Sequence, residues 1–144
     1  MSVKKRFDFL EHTADVYIAA YGSTLEEAFE NAAMATINVM TDAKKVKPEI
    51  KESVEVEASD EYGLLYSWIE EILILFDTEG HLFSKFQISS IETSENGLRL
   101  KAKMWGEAFD LERHPQKVGV KAVTYHRMEI VKNSYVTVKF ILDI

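Results

Sequence analysis

The sequence predicts an α+β fold, a single domain in which two helices pack on mainly antiparallel β-sheet. Two segments, Thr24 to Met40 and Glu61 to Asp77, repeat apolar residues with the helical period. Other segments alternate apolar and polar residues as strands do, and an Asn96-Gly97 pair between two such segments is typical of a β-hairpin. With 144 residues, the chain is long enough for one complete hydrophobic core, so we expect one domain over residues 1–144.

Two short strands are predicted before the first helix. Residues 6–9 form a candidate strand, and residues 16–22 are β-branched and aromatic up to a terminal glycine. Ser23 and Thr24 can each cap the helix that follows, because a glutamate stands three residues after each of them. The apolar residues of this helix fall on one stripe, which predicts that one face is buried.

The next strand and helix are predicted from residue 50 onward. Residues 50–58 alternate almost strictly, which indicates a strand with one wet face. Asp60 can cap the second helix, and residues 72–76 near its end are apolar nearly all round. We therefore expect this helix to be the central one, buried on more than one side.

The second half of the chain is predicted to consist of strands. Residues 82–91 and 98–104 flank the Asn-Gly turn, residues 118–131 are extended, and residues 135–142 alternate up to the last acidic residue.

Composition and charge exclude several classes of protein. There is no cysteine, which excludes disulfides and thiolate chemistry, and no apolar run approaches the ~20 residues of a membrane span. No apolar stretch follows the basic residues at the start, so we expect no signal peptide, a cytoplasmic location and no membrane partner. The formal net charge of −7 argues against a free-standing nucleic-acid binder.

The strongest candidate site combines the segment His12-Thr13-Ala14-Asp15 with the segment Leu142-Asp143-Ile144. If the strand after Asp15 and the strand before Asp143 lie antiparallel side by side, these acids meet at one edge of the sheet. Two aspartates and a main-chain carboxylate at Ile144 then converge. Such oxygen donors suit Ca²⁺ or Mg²⁺ better than zinc.

Four segments together resemble the archease family, in the same order and over essentially the whole length. They are His12-Thr13-Ala14-Asp15, the helix segment Leu25-Glu26-Glu27-Ala28-Phe29-Glu30-Asn31-Ala32-Ala33, the run Lys121-Ala122-Val123-Thr124-Tyr125-His126, and Leu142-Asp143-Ile144. The resemblance implies a cofactor protein of an RtcB-type RNA ligase, the enzyme that joins tRNA halves after splicing. It further implies that the protein promotes guanylylation and multiple turnover of the ligase without catalysis of its own, and that it meets RNA only through the ligase.

The resemblance also implies the site residues. By position, a divalent metal, most readily Ca²⁺ and alternatively Mg²⁺, is expected on Asp15, Asp143 and the main-chain carboxylate of Ile144. Lys121, which opens the Lys-Ala-Val-Thr-Tyr-His run, is the expected partner-binding residue.

Each feature also has a purely structural interpretation. Asp15 can act as an Asx-turn residue, and the end of the chain can be a solvated tail. His12 can orient Asp15 or fill a turn, because imidazole is a poor ligand for a hard cation. Basic residues at positions 113, 114, 117, 121 and 127 either contact the ligase or keep a strand edge charged against aggregation.

Two other functions stay open from the residues alone. A metal-dependent hydrolase could use His12, Asp15 or His126 as a base, although no hydrolase or phosphate-loop motif accompanies them. A metal-stabilised interaction or chaperone-like module with a different partner fits the same residues.

Overall fold

The computed structural model describes residues 5–10 and 15–144, and these form seven strands, two α-helices and one short 3-10 helix. The strands are β1 (Phe7–Leu10), β2 (Val16–Gly22), β3 (Ile50–Ala58), β4 (His81–Ser94), β5 (Gly97–Ala108), β6 (Ala122–Lys132) and β7 (Val136–Asp143). The helices are α1 (Leu25–Met40) and α2 (Glu61–Glu79), and the 3-10 helix is Ala43–Lys45. The elements therefore begin and end close to the positions that periodicity predicts.

The strands form two antiparallel sheets. One sheet has four strands in the order β1-β2-β7-β6, and the other has three in the order β3-β5-β4. All the strand pairs within the described residues are antiparallel. The predicted α+β class is confirmed, and the predicted sheet is divided into two.

Side chains and a glycine fix the ends of the helices. Thr24 caps α1, because its Oγ1 accepts from the N–H of Glu27 at 3.1 Å while a Glu27 carboxylate oxygen accepts from the N–H of Ser23 at 2.8 Å. Asp60 caps α2 by accepting from the N–H of Gly63 at 2.8 Å. Gly80 caps the C-terminus of α2, and its φ of 68° lies in the left-handed region that favours glycine.

Both helices pack against both sheets. Helix α1 contacts β1, β2, β7 and β4, and helix α2 contacts β6 as well as β3, β4 and β5. Trp68 on α2 is fully buried, and its indole N–H donates to the carbonyl of Phe29 on α1 at 2.9 Å. Ile74 is 42% exposed, however. Helix α2 is therefore buried on more than one side, as predicted, and one side of its apolar end faces solvent.

The β4–β5 hairpin differs in detail from the predicted Asn-Gly turn. Ser94 pairs with Gly97, so Glu95 and Asn96 form the two-residue loop and Gly97 is the first residue of β5. Gly97 has a φ of 137°, and a Cβ atom there would lie 2.3 Å from the carbonyl oxygen of Ala58. The glycine is needed for this backbone approach as well as for the turn.

Strand β6 is interrupted by a large bulge. Thr124 pairs with Ile141 and Glu129 pairs with Lys139, so four residues of β6 lie opposite one residue of β7. Arg127 within the bulge has a φ of 57°, and its guanidinium carbon lies 5.0 Å from the ring centre of Tyr17 on β2. The predicted extended segment from residue 118 becomes strand only from Ala122.

Neither helix in the described part of the chain is long and apolar enough to cross a membrane.

The contact between α1 and α2 gives a stability prediction. Trp68→Phe removes the hydrogen bond to Phe29 and leaves space in a fully buried site, so we expect the free energy of unfolding to fall by about 2 kcal/mol. Ile74→Val, at an exposed position of the same helix, should change it by less than about 0.5 kcal/mol. Urea unfolding followed by circular dichroism measures both. Equal losses in the two variants would contradict the assigned burial of Trp68.

Candidate functional site

The candidate site lies where β2 begins and β7 ends. These strands are antiparallel neighbours, and Val16 pairs with Leu142 at the end of their ladder. Asp15 directly precedes β2 and Asp143 is the last residue of β7, so the register sets these two acids beside each other at one edge of the sheet. The strand arrangement required by the sequence prediction is therefore present.

Lys121 lies at the same edge. Its backbone N–H donates to the carbonyl oxygen of Asp143 at 2.8 Å, and the following residue, Ala122, pairs with Asp143 in the β6–β7 ladder. Asp143 thus has Asp15 on one side and Lys121 on the other. The Lys121 side chain is exposed, whereas Asp15 and Asp143 are half-buried.

The donors at this edge are oxygen atoms. Two carboxylates on adjacent strands, followed by the main chain of Ile144, match the hard donors that Ca²⁺ and Mg²⁺ prefer. Within residues 5–10 and 15–144, no group of three or more His, Asp or Glu side chains could hold a metal ion. His12, Thr13 and Ala14 of the predicted motif lie outside the described residues. The donor chemistry fits a hard cation, with at least one further ligand from main chain or water.

Two of the basic residues singled out between positions 113 and 127 form contacts within the chain. Arg113 donates to both carboxylate oxygens of Glu107, at 2.7 and 3.0 Å. His114 is 1% exposed and its Nε2 lies 2.9 Å from Glu107. Both side chains are engaged by an acid of their own chain, and a role of Arg113 and His114 as ligase contacts stays a prediction.

The hydrogen bonds around His114 define its tautomer. Nδ1 accepts from the backbone N–H of Asp110 at 2.9 Å, so a neutral ring carries its hydrogen on Nε2 and donates it to Glu107. Glu107 also accepts from the N–H of Lys47 at 2.7 Å. The hydrogen bond from Arg113, with those from Lys47 and His114, lowers the pKa of Glu107 from 4.5 to about 2.

The hydrogen bonds of Glu107 anchor residues 113 and 114, which begin the segment that leads to Lys121. Lys117 adds two contacts, because its N–H donates to the carbonyl of Met40 at 3.1 Å and its Nζ donates to the carbonyl of Asn38 at 3.2 Å. Lys121 therefore follows an anchored segment on its way into β6. Sequence reasoning missed Glu107, since a single glutamate at the end of a strand gives no sign of burial or of partners six and seven residues away.

His126, considered as a base for a hydrolase, lies exposed within the β6 bulge. Nothing in the described residues gives this imidazole a carboxylate partner that would orient it for proton transfer.

Comparison with known proteins identifies close relatives. The Archease protein family (MTH1598/TM1083) matches residues 7–144. The chain is 47% identical to Protein archease of Sulfurisphaera tokodaii, over 97% of this chain and 99% of that protein. It is 51% identical to Protein archease of Thermococcus gammatolerans, over 89% of each chain. The solution structure of protein 1598 of Methanobacterium thermoautotrophicum is similar, with a TM-score of 0.82, 39% identity, and coverage of 96% of this chain and 98% of that one.

The Glu107 network predicts a pH-dependent contribution to stability. Because the pKa of Glu107 is lower in the folded protein than the usual 4.5, its contribution is present above that value and is lost as the pH falls toward 2. At pH 7, Glu107→Gln should lower the free energy of unfolding by about 2 kcal/mol. The difference in the free energy of unfolding between the variant and the unaltered protein should become smaller below about pH 4.

Urea unfolding at pH 7, 5 and 3 measures this difference. Glu95→Gln, in the exposed hairpin loop, is the control and should leave stability unchanged at each pH. A Glu107→Gln effect that is independent of pH would contradict an ionised Glu107.

Proposed function

The chain belongs to the archease family, a family of accessory proteins in RNA processing, and from this membership we propose that it activates an RtcB-type tRNA-splicing RNA ligase. In this proposal the protein acts in the cytoplasm, promotes guanylylation and multiple turnover of the ligase, and does not itself join RNA.

One observation carries the proposal beyond family membership. The antiparallel β2–β7 ladder places Asp15 and Asp143 side by side, and Lys121 binds the main chain of Asp143 from the next strand. Two acids and an exposed cation thus share one edge of the sheet, at positions that lie within the family's motifs. An edge of this kind suits a protein that acts on the nucleotide and metal chemistry of another enzyme.

In this proposal, Asp15 and Asp143 hold a divalent cation, most readily Ca²⁺ and alternatively Mg²⁺, with main-chain oxygen from Ile144. The bound ion would place a positive charge between two carboxylates of the same sign. The donor set supports the proposal because it consists of hard oxygen atoms at the adjacent ends of two paired strands.

Lys121 is the proposed partner-binding residue. Its side chain is exposed, and its backbone is fixed by the hydrogen bond to Asp143. A cation held at the rim of a site steers an acidic or phosphate-bearing partner and mainly changes the association rate. We propose that Lys121 contacts the ligase or its nucleotide.

The first functional prediction concerns ligation. A sub-stoichiometric amount of this protein should raise the number of turnovers of the cognate RNA ligase on cleaved tRNA, whereas this protein with GTP and metal alone should leave the RNA unjoined. Lys121→Gln should reduce activation several-fold at low salt and less at high salt, because screening weakens the contact that it removes. Lys44→Gln, at an exposed position of the 3-10 helix, should activate normally.

Unchanged turnover in the presence of the protein would overturn the ligase proposal and favour the alternative, a metal-stabilised interaction module with another partner. Ligation without the ligase, or a guanylate bound covalently to this chain, would show that the protein is an enzyme.

The second functional prediction concerns the metal. Because a ligand that binds only the folded chain stabilises it by RT ln(1 + [L]/Kd), Ca²⁺ at a hundredfold excess over Kd should add about 3 kcal/mol and raise the melting temperature. Asp15→Asn and Asp143→Asn should reduce this shift, and in a protein that ends at Ile144 a C-terminal tag should do the same by converting the carboxylate to an amide.

Asp77→Asn, at an exposed position of α2, is the control and should preserve the calcium-induced shift. Melting temperatures with and without Ca²⁺, and with Mg²⁺ for comparison, measure the effect. Equal shifts in all variants would place the ion elsewhere.

A further inference from the structure

The outer face of the three-stranded sheet carries an unusual set of side chains. The strand register arranges them in rows: Lys51, Trp105 and Lys85 form one row across β3, β5 and β4, and Ser53, Lys103 and Gln87 form the next. Lys101 follows on β5, between Glu55 and Ser90. We call the set Lys51, Ser53, Lys85, Gln87, Lys101, Lys103 and Trp105 the lysine face. All of its members are exposed except Trp105, which is half-buried.

The four lysines of this face have no ion-pair partner among the described residues. The nearest acids in the register are Glu55 and Glu57, and both bind Arg99 instead, with N–O distances of 3.0 and 3.2 Å. Glu92 also pairs with Arg99 in the register, and Glu49 precedes the first residue of β3. The rows that contain Trp105 and Lys103 hold three cations and no acid.

Protection of a sheet edge does not account for these charges. Lysines on edge strands discourage pairing with another chain, and Lys51 and Lys85 stand on edge strands. Lys101 and Lys103, however, stand on β5, the central strand of the three. Their like charges two residues apart, about 7 Å along the strand, are explained better by a ligand with repeated negative charge.

Trp105 gives this face an aromatic surface. The Nζ of Lys85 lies over its ring, 4.6 Å from the centre. A half-buried tryptophan beside unpaired lysines differs from Trp68, which is fully buried and hydrogen-bonded in the core. The π-face of an aromatic side chain stacks with any nucleic-acid base, and neighbouring cations add to that contact.

A shallow groove crosses the same face. Its volume is about 340 Å³, and its lining includes Ser53, Ser89, Lys101 and Lys103, with Glu55 at one side. Ser89 is the extra residue of a bulge in β4 between Ile88 and Ser90. Hydroxyl donors therefore stand beside ammonium groups, which is a combination suited to phosphate and sugar oxygens.

We propose that the lysine face binds single-stranded RNA directly. The lysines contact consecutive phosphates. A base stacks on the ring of Trp105, where it either replaces the Lys85 ammonium group or lies next to it. An acidic protein surface would also match the charge, but it does not account for a half-buried aromatic ring set among cations. This binding does not depend on the ligase, and the overall charge of −7 predicts that it is weak, with a Kd on the order of 10⁻⁵ M at low salt.

The test uses the purified protein without ligase and a fluorescein-labelled, unstructured 12-nucleotide RNA. Anisotropy should show binding whose log K falls with log salt with a slope of about −2.8 for four phosphate contacts. Lys101→Gln/Lys103→Gln should weaken binding about tenfold or more at 50 mM salt and reduce the slope to about −1.4. RNA should quench the tryptophan fluorescence of the unaltered protein and leave that of Trp105→Phe unchanged.

The matched control is Lys132→Gln/Lys139→Gln, which makes the same charge change on the other sheet, where these lysines pair with Glu61 and Glu129. The control should bind RNA with nearly unaltered affinity. Equal weakening by both double variants would mean non-specific attraction and would overturn the proposal. Polyglutamate could compete as effectively as unlabelled RNA without quenching the tryptophan fluorescence. That result would assign the lysine face to an acidic protein and would also overturn the RNA-binding proposal.

Discussion

The pairing of β2 with β7 is the constraint on which the candidate site and the four-stranded sheet depend. Seven residue pairs join them, from Val16 with Leu142 to Gly22 with Val136. The pairing closes a loop of more than a hundred residues, so its entropic cost is met only when the intervening helices pack. Ile18 and Phe140, partners in this ladder, are fully buried in the shared core. A change that loosens this ladder should therefore affect stability and the Asp15–Asp143 edge together.

Periodicity explains why much of the fold was predictable. The caps at Thr24 and Asp60 and the apolar stripes that follow them are local sequence patterns. In the structure, both cap residues make the expected local hydrogen bonds. The meeting of Asp15 with Asp143 was predictable once both strands were assigned. The division into two sheets, the Arg127 bulge and the burial of Glu107 were not, because each depends on contacts between segments distant in sequence. The metal on Asp15 and Asp143 stays a prediction.

Net charge is a poor guide to the local surface of this protein. The chain carries −7 overall, yet charges more than about 8 Å apart are largely screened at physiological salt. A binding partner therefore responds to the local charge that it contacts, such as the lysines of β5 or the acids Asp15 and Asp143, and not to the net charge of the chain. The alternation Arg99, Lys101, Lys103, Trp105 is visible in the sequence, but only the register across three strands adds Lys51 and Lys85 to it.

The bulge in β6 has a consequence for association between copies of the protein. Strand β6 is one outer strand of the four-stranded sheet, and β1, with four residues, is the other. An added strand needs an uninterrupted row of free backbone groups. The bulge around Arg127 divides that row on one side, and the other side is short. This sheet is thus a poor template for fibril growth at high concentration and during heating, although its central strands are strongly apolar.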